Sequence, residues 1–153
     1  MKSPALFDQL GPQKWQEGLC HVYAQALRSF LGSGVFICLY RNMRFAHIYL
    51  KLDGLAYDSE SHGVPDAEFK ETYARKKQSD WPLEWRSAHE IRDFGDERLG
   101  ESRITFGTDI DSCDAYEGPH TPRFLAEARA TIEQNQYYQE LKSRIAASPL
   151  DRP

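Results

Sequence analysis

Asp53-Gly54 lies between two β-prone runs, Phe45–Leu52 and Leu55–Asp58, and it restricts the possible folds more than any other feature of the chain. A two-residue connection of this type accepts positive φ at both positions and joins antiparallel strands, whose twist it matches. The chain must therefore contain a hairpin at this point. Upstream, the hydrophobic period changes. Apolar residues at 19, 22, 23, 26, 27, 30 and 31 recur at helical spacing from Leu19 to Leu31. Gly32 and Gly34 end that stripe, as residues tolerant of left-handed backbone commonly do. Val35–Tyr40 then runs without a polar break, which suits a strand buried on both faces. A helix followed by antiparallel strands defines an α+β class, in which the helix, with small residues at Ala24 and Ala26, packs on the sheet.

The remaining elements are expected to surround this core. Residues 1–17 read as an irregular lead-in with a helical turn around Ala5 to Leu10, stopped by Gly11-Pro12. A short helix is expected after Pro65-Asp66, with Phe69 and Tyr73 four apart. A strand is expected to lead from Trp81 to Ile91, and another over Arg103–Phe106. Thr121-Pro122 starts a long C-terminal helix, with Thr at the N-cap and Pro in the first turn. Its buried side would be Phe124, Ala128, Ile132, Leu141 and Ile145. With 153 residues and an apolar share of 41%, the chain is expected to form one domain, residues 1–153.

Charge and cysteine usage narrow the function classes. A net charge of −4 with mixed signs along the chain argues against nucleic acid and against a polybasic membrane contact. A mean hydropathy of −0.65 and the lack of a long apolar run argue against a membrane span. Cys20, Cys38 and Cys113 form neither a CxxC pair nor an even framework, so a reducing compartment is the simpler expectation. The first residues carry no apolar signal core, which points to a cytoplasmic location. A specialised secretion route would leave no such mark.

Within this frame one constellation carries chemistry. Cys20 falls in the first turn of the apolar helix, where the dipole and unpaired N–H groups lower a thiol's pKa. His47 lies on the first hairpin strand. With Asp53 and Gly54 as the loop, Leu52 faces Leu55, Tyr49 faces Asp58, and His47 would face Glu60 if pairing continues. Alternation puts His47 and Tyr49 on the face shared with Asp58, a diagonal neighbour roughly 7–8 Å away. The spacing thus lets Asp58 orient the imidazole while the other ring nitrogen serves the thiol. The Cys20 backbone N–H is a candidate oxyanion donor, Gln16 a second one, and Glu60 an alternative orienter.

Gly-x-Cys-His-x-x-Ala-x-Ala-Leu (Gly18 to Leu27), His-x-Tyr-Leu (His47 to Leu50) and Asp-Gly-x-x-Tyr-Asp (Asp53 to Asp58) resemble the core of papain-like cysteine peptidases. The likeness is to compact bacterial and phage members and their transglutaminase-like relatives, and it covers about residues 14–64. The resemblance implies a papain-like core with Cys20 as nucleophile, His47 as base and Asp58 as acid. It implies a thiol hydrolase or acyltransferase acting on an amide or isopeptide bond of a peptide or protein, with no cofactor and no metal. A secreted effector or toxin with a cognate inhibitor or immunity protein belongs to the same expectation. The Gln-Gly-x-Cys-Gly-x-Cys-Trp string of plant-type papains is absent.

Other readings accompany this one. A non-catalytic binding or inhibitor module could keep the same fold. His21 adjoins Cys20, but helix neighbours point about 100° apart, so it is expected to flank the site. His62 is expected at the surface. The acidic stretch Asp109 to Asp114 lacks the glycine and glutamate of a calcium loop. Zinc on Cys20 and His47 finds no paired ligand spacing. Tyr73, Trp81 and Trp85 read as packing residues or as an aromatic wall, and Arg75-Lys76-Lys77 as an exposed helix face.

Overall fold

The computed structural model describes residues 4–16, 18–41, 44–78, 91–98 and 119–147. Its elements are α1 (Pro4–Leu10), a 3-10 turn (Gly11–Trp15), α2 (Cys20–Leu31), β1 (Val35–Arg41), β2 (Arg44–Leu52), β3 (Leu55–Tyr57), β4 (His62–Pro65), α3 (Asp66–Gln78), β5 (Ile91–Arg98), α4 (Thr121–Gln134) and α5 (Gln136–Ala147). The strands form one antiparallel sheet in the order β4-β3-β2-β1-β5, giving a mixed α+β architecture. The expected strand over Arg103–Phe106 lies outside the described residues. So do Trp81, Trp85, Cys113 and the acidic stretch around it.

The Asp53-Gly54 turn has φ of 54° and 78°, and it sets Leu52 opposite Leu55, Lys51 opposite Ala56 and Leu50 opposite Tyr57. Pairing stops there. Asp58 does not extend β3, as the hairpin reading had it. Its N–H donates to the Ser61 carbonyl at 2.9 Å, and the chain turns back at once into β4. His47 therefore has no cross-strand partner in Glu60. β4 carries no strand signal, because Ser59-Glu60-Ser61-His62-Gly63 reads as a polar loop.

The sheet has a core on each side. Phe36, Ile48, Leu50, Leu52 and Tyr57 pack with α2, α4 and α5. Val35, Ile37, Tyr49 and Ala56 pack with Phe69 and Tyr73 of α3. Each set alternates along its strand, as a pleated sheet covered on both sides requires. The seven apolar positions of the α2 stripe are all buried. Gly32 closes the helix with φ of 73°, and its N–H bonds the Arg28 carbonyl at 2.8 Å. Phe7 of α1 meets Phe124 of α4 edge-on at 5.5 Å, anchoring the N-terminal segment.

The C-terminal region departs from the single helix expected. His120, not Thr121, occupies the N-cap of α4, and the helix breaks at Asn135, whose backbone is extended. Asn135 Oδ1 then accepts from the Tyr138 N–H at 3.2 Å, which caps the new helix α5. Within the polar string Glu133 to Gln136 this cap is indistinguishable from an ordinary solvated helix face.

Candidate active site

Cys20 is the first helical residue of α2, preceded by Leu19 at the N-cap. A leucine offers no side-chain oxygen, so no side chain caps this end, and the Val22 and Tyr23 N–H groups bond the Leu19 carbonyl at 3.1 Å each. A thiol at this position sits at the positive end of the helix dipole. His47 is delivered by β2 beside a β-bulge. Leu39 pairs with His47, but Tyr40 pairs with Phe45, so Ala46 is one residue extra. A bulge bends its strand and re-aims the side chains next to it.

The imidazole edge and face are both engaged. Its Nε2 lies 2.9 Å from Asp58 Oδ2. Its face stacks on Tyr73 at 5.0 Å with the planes 17° apart, and Phe69 and Tyr49 complete the aromatic surround. Stacking occupies the ring face and leaves the nitrogens on the edge available. Nδ1, buried, makes no aligned hydrogen bond, although the ring interacts with the Cys20 thiol. The two groups are close enough to shift each other's ionisation.

Asp58 is cradled from every side. Oδ1 accepts from the N–H groups of Glu60 at 2.9 Å and Ser61 at 2.8 Å. Oδ2 accepts from His47 and from Gln16 Nε2 at 3.2 Å, and Gln16 also donates to Ser59 Oγ at 2.7 Å. The structure thus brings Cys20, His47 and Asp58 together and gives the two auxiliary residues other roles. Gln16 holds the acid rather than facing the thiol as an oxyanion donor, because both of its amide bonds run to the 58–59 turn. Glu60 contributes its backbone N–H, and its side chain is exposed.

These contacts set the charges. Burial pushes the Cys20 thiol up, but interaction with His21 and His47 outweighs it and brings the pKa down to about 6. Burial opposes the His47 imidazolium, yet Asp58 and the thiolate raise it to about 9. Burial would raise Asp58 as well. The His47 hydrogen bond and charge, the Glu60 N–H and the Gln16 amide hold it below the ordinary carboxylate range. Between about pH 6 and 9 the preferred state is a thiolate–imidazolium pair braced by a carboxylate.

His21, expected to flank the site, is fully buried beside Cys20 and helps to lower the thiol's pKa. Helical side chains tilt toward the N-terminus, which brings a long side chain back over the first turn. His62 is exposed and stacks on Tyr137 at 5.8 Å. Tyr138, outside the expected site residues, is fully buried beside Asp58. Its spacing to Leu141 and Ile145 marks a helical stripe, and a buried tyrosine hydroxyl needs a partner. That partner is the Asp58 carbonyl, at 3.1 Å.

Among the described residues, no group of three or more His, Cys, Asp or Glu is arranged to hold a metal ion. Also among them, no helix is long and apolar enough to cross a membrane. Comparison with protein-family models, with curated proteins and with solved structures finds no match.

Proposed function

We propose that this chain is a thiol enzyme of papain-like design, acting on an amide or isopeptide bond of a peptide or protein. The observation that carries the reading is the His47–Asp58 hydrogen bond at 2.9 Å on an imidazole that also engages Cys20. In this scheme the Cys20 thiolate attacks the acyl carbon, and the developing oxyanion lies within reach of the Cys20 N–H. The His47 imidazolium gives its proton to the leaving amine as the C–N bond breaks. Water or a second amine then attacks the thioester, His47 takes its proton, and the thiolate leaves. Asp58 holds the ring orientation through both steps.

Labelling by iodoacetamide at neutral pH, mapped by mass spectrometry, tests this chemistry. Cys20 is expected to react well ahead of Cys38 and Cys113, and the His47→Ala variant is expected to lose that advantage. Equal, sluggish labelling of all three thiols would falsify the reading, because a structural buried thiol is inert.

One observation favours a second reading. Cys20 is only 5% exposed and His47 1%, so substrate entry requires the groups covering them to move. A non-catalytic binding module would keep the three residues as a buried polar brace. A Cys20→Ala variant that retains full biological effect is the outcome expected of such a module.

A further inference from the structure

We infer that Tyr138 and Tyr23 form a positioning strut for the site, tying the acid's turn to the nucleophile's helix independently of His47. This inference rests on the thiol-enzyme reading of Cys20, His47 and Asp58. Tyr138 lies on α5, 80 residues from Asp58, is fully buried, and its hydroxyl donates to the Asp58 carbonyl at 3.1 Å. A tyrosine hydroxyl has one proton to give. Tyr23 lies beside Tyr138 in the same buried cluster, close enough for each phenol to affect the other's ionisation. With the Tyr138 proton on Asp58, a bond between the two hydroxyls has Tyr23 as its donor. Tyr23 is buried on α2, three residues after Cys20, and its ring packs on Trp15 at 5.7 Å. Residues three apart on a helix share a face, so the strut ends one turn from the sulfur.

Asp58 has a second set of tethers on its carboxylate, from Gln16, Glu60 and Ser61. Those set the carboxylate's rotation. The Tyr138 bond instead sets where the main chain of the turn stands relative to α2. Asp58 belongs to no strand ladder, so its backbone carbonyl needs such an anchor. Burial keeps both phenols protonated well past neutrality, with Tyr23 pushed up to about 12. The strut therefore stays uncharged and adds no negative charge beside the carboxylate over the working range of the thiolate pair.

The full-length Tyr138→Phe protein tests this, read in two ways. The first readout is the pH profile of Cys20 alkylation by iodoacetamide. Loosening Asp58 weakens the imidazolium, so the profile moves toward alkaline pH. A displacement of one unit lowers the rate at pH 6 about fivefold, approaches tenfold at more acidic pH and leaves the alkaline plateau unchanged. The second is the proton NMR resonance of the His47 Nε2–H donated to Asp58, expected to move upfield and exchange faster with water. Tyr23→Phe keeps the Tyr138–Asp58 bond and is expected to shift both readouts in the same direction by less. It also serves if Tyr138→Phe does not fold.

A variant that loses thermal stability while both readouts stay at wild-type values overturns the inference, because packing alone accounts for that result. The two readings fail separately. An unreactive wild-type Cys20 counts against the enzyme, whereas the His47 resonance still reports on the strut.

Discussion

Two of the charged pairs among the described residues, Lys14–Glu127 and His47–Asp58, are built differently. Lys14 meets Glu127 at 2.5 Å, with the Lys14 side chain 7% exposed and Glu127 41%. The Lys14 ammonium lies 4.9 Å from the centre of the Trp15 ring, and water reaches Glu127. His47 and Asp58 are 1% and 8% exposed, and Asp58 receives four donors: His47, Gln16 and the N–H groups of Glu60 and Ser61. An ion withdrawn from water must recover its lost hydration from the protein, whereas a half-exposed ion need not. The density of donors around Asp58 thus matches its burial. Its surplus is the thiol on the far side of the imidazole, which a merely structural pair does not require.

The largest expected effect comes from breaking the deeper pair. Asp58→Ala leaves the buried imidazole and three donors without their acceptor. A loss of about 3–5 kcal/mol in unfolding free energy is expected, the scale for removing one partner of a buried ion pair. Urea denaturation measures it. Asp58→Asn restores part of the hydrogen bonding without the charge, so it is expected to recover stability while leaving Cys20 labelling slow at neutral pH. Equal labelling in Asp58→Asn and wild type would show that the carboxylate charge plays no part in activating the thiol.

A smaller effect follows from pH. His47 is raised from 6.5 to about 9, so its contribution is fully present below pH 6.5 and is lost as pH rises through 9. Cys20 is lowered from 9.0 to about 6, so its contribution is fully present above pH 9 and is lost as pH falls through 6. Between those limits folding gives one proton to His47 and takes one from Cys20. The two cancel, and the wild-type unfolding free energy is expected to be nearly flat from about pH 6.5 to 9. Cys20→Ser removes only the thiol's half. Its stability is expected to fall with rising pH over the range in which Asp58 still keeps His47 protonated. Parallel urea midpoints at pH 6.5, 7.5 and 8.5 measure it, with the His47 protonation state of the variant followed by NMR. Identical slopes while His47 stays protonated in Cys20→Ser exclude an ionised thiol.

How much of this was legible beforehand depended on whether the cause was local. The α2 stripe, its glycine stop and the Asp53-Gly54 turn are short-range signals, and each matches the structure. The register of Leu50 with Tyr57 followed from that turn alone. Asp58 leaving the ladder did not, because its backbone answers to Ser61 and to Tyr138, 80 residues away. Gln16 departs from its expected place for the same reason. Sequence distance from Cys20 suggested the thiol, while the fold carries its amide to the 58–59 turn. The break at Asn135 was hidden because a capping asparagine and a solvated one have the same neighbours in sequence.

The smallest expected effect lies in the shallower pair, where the contrast is most exposed to failure. Lys14→Met keeps the long apolar stem against Trp15 and removes only the ammonium. The Lys14 backbone carbonyl, which accepts from the Leu19 N–H at 3.1 Å, is unaffected, so the approach to α2 is retained. Glu127 is exposed enough to hydrate in place of its partner. A change within about 1 kcal/mol of either sign is expected, since desolvation of the lysine offsets most of the attraction. The pH profile of Cys20 labelling is expected to remain as in wild type. A loss near that of Asp58→Ala would mean that donor number does not separate the two pairs. A shifted labelling profile would place Lys14 in the electrostatics of the thiol, and the site would then extend through the 3-10 turn into α4.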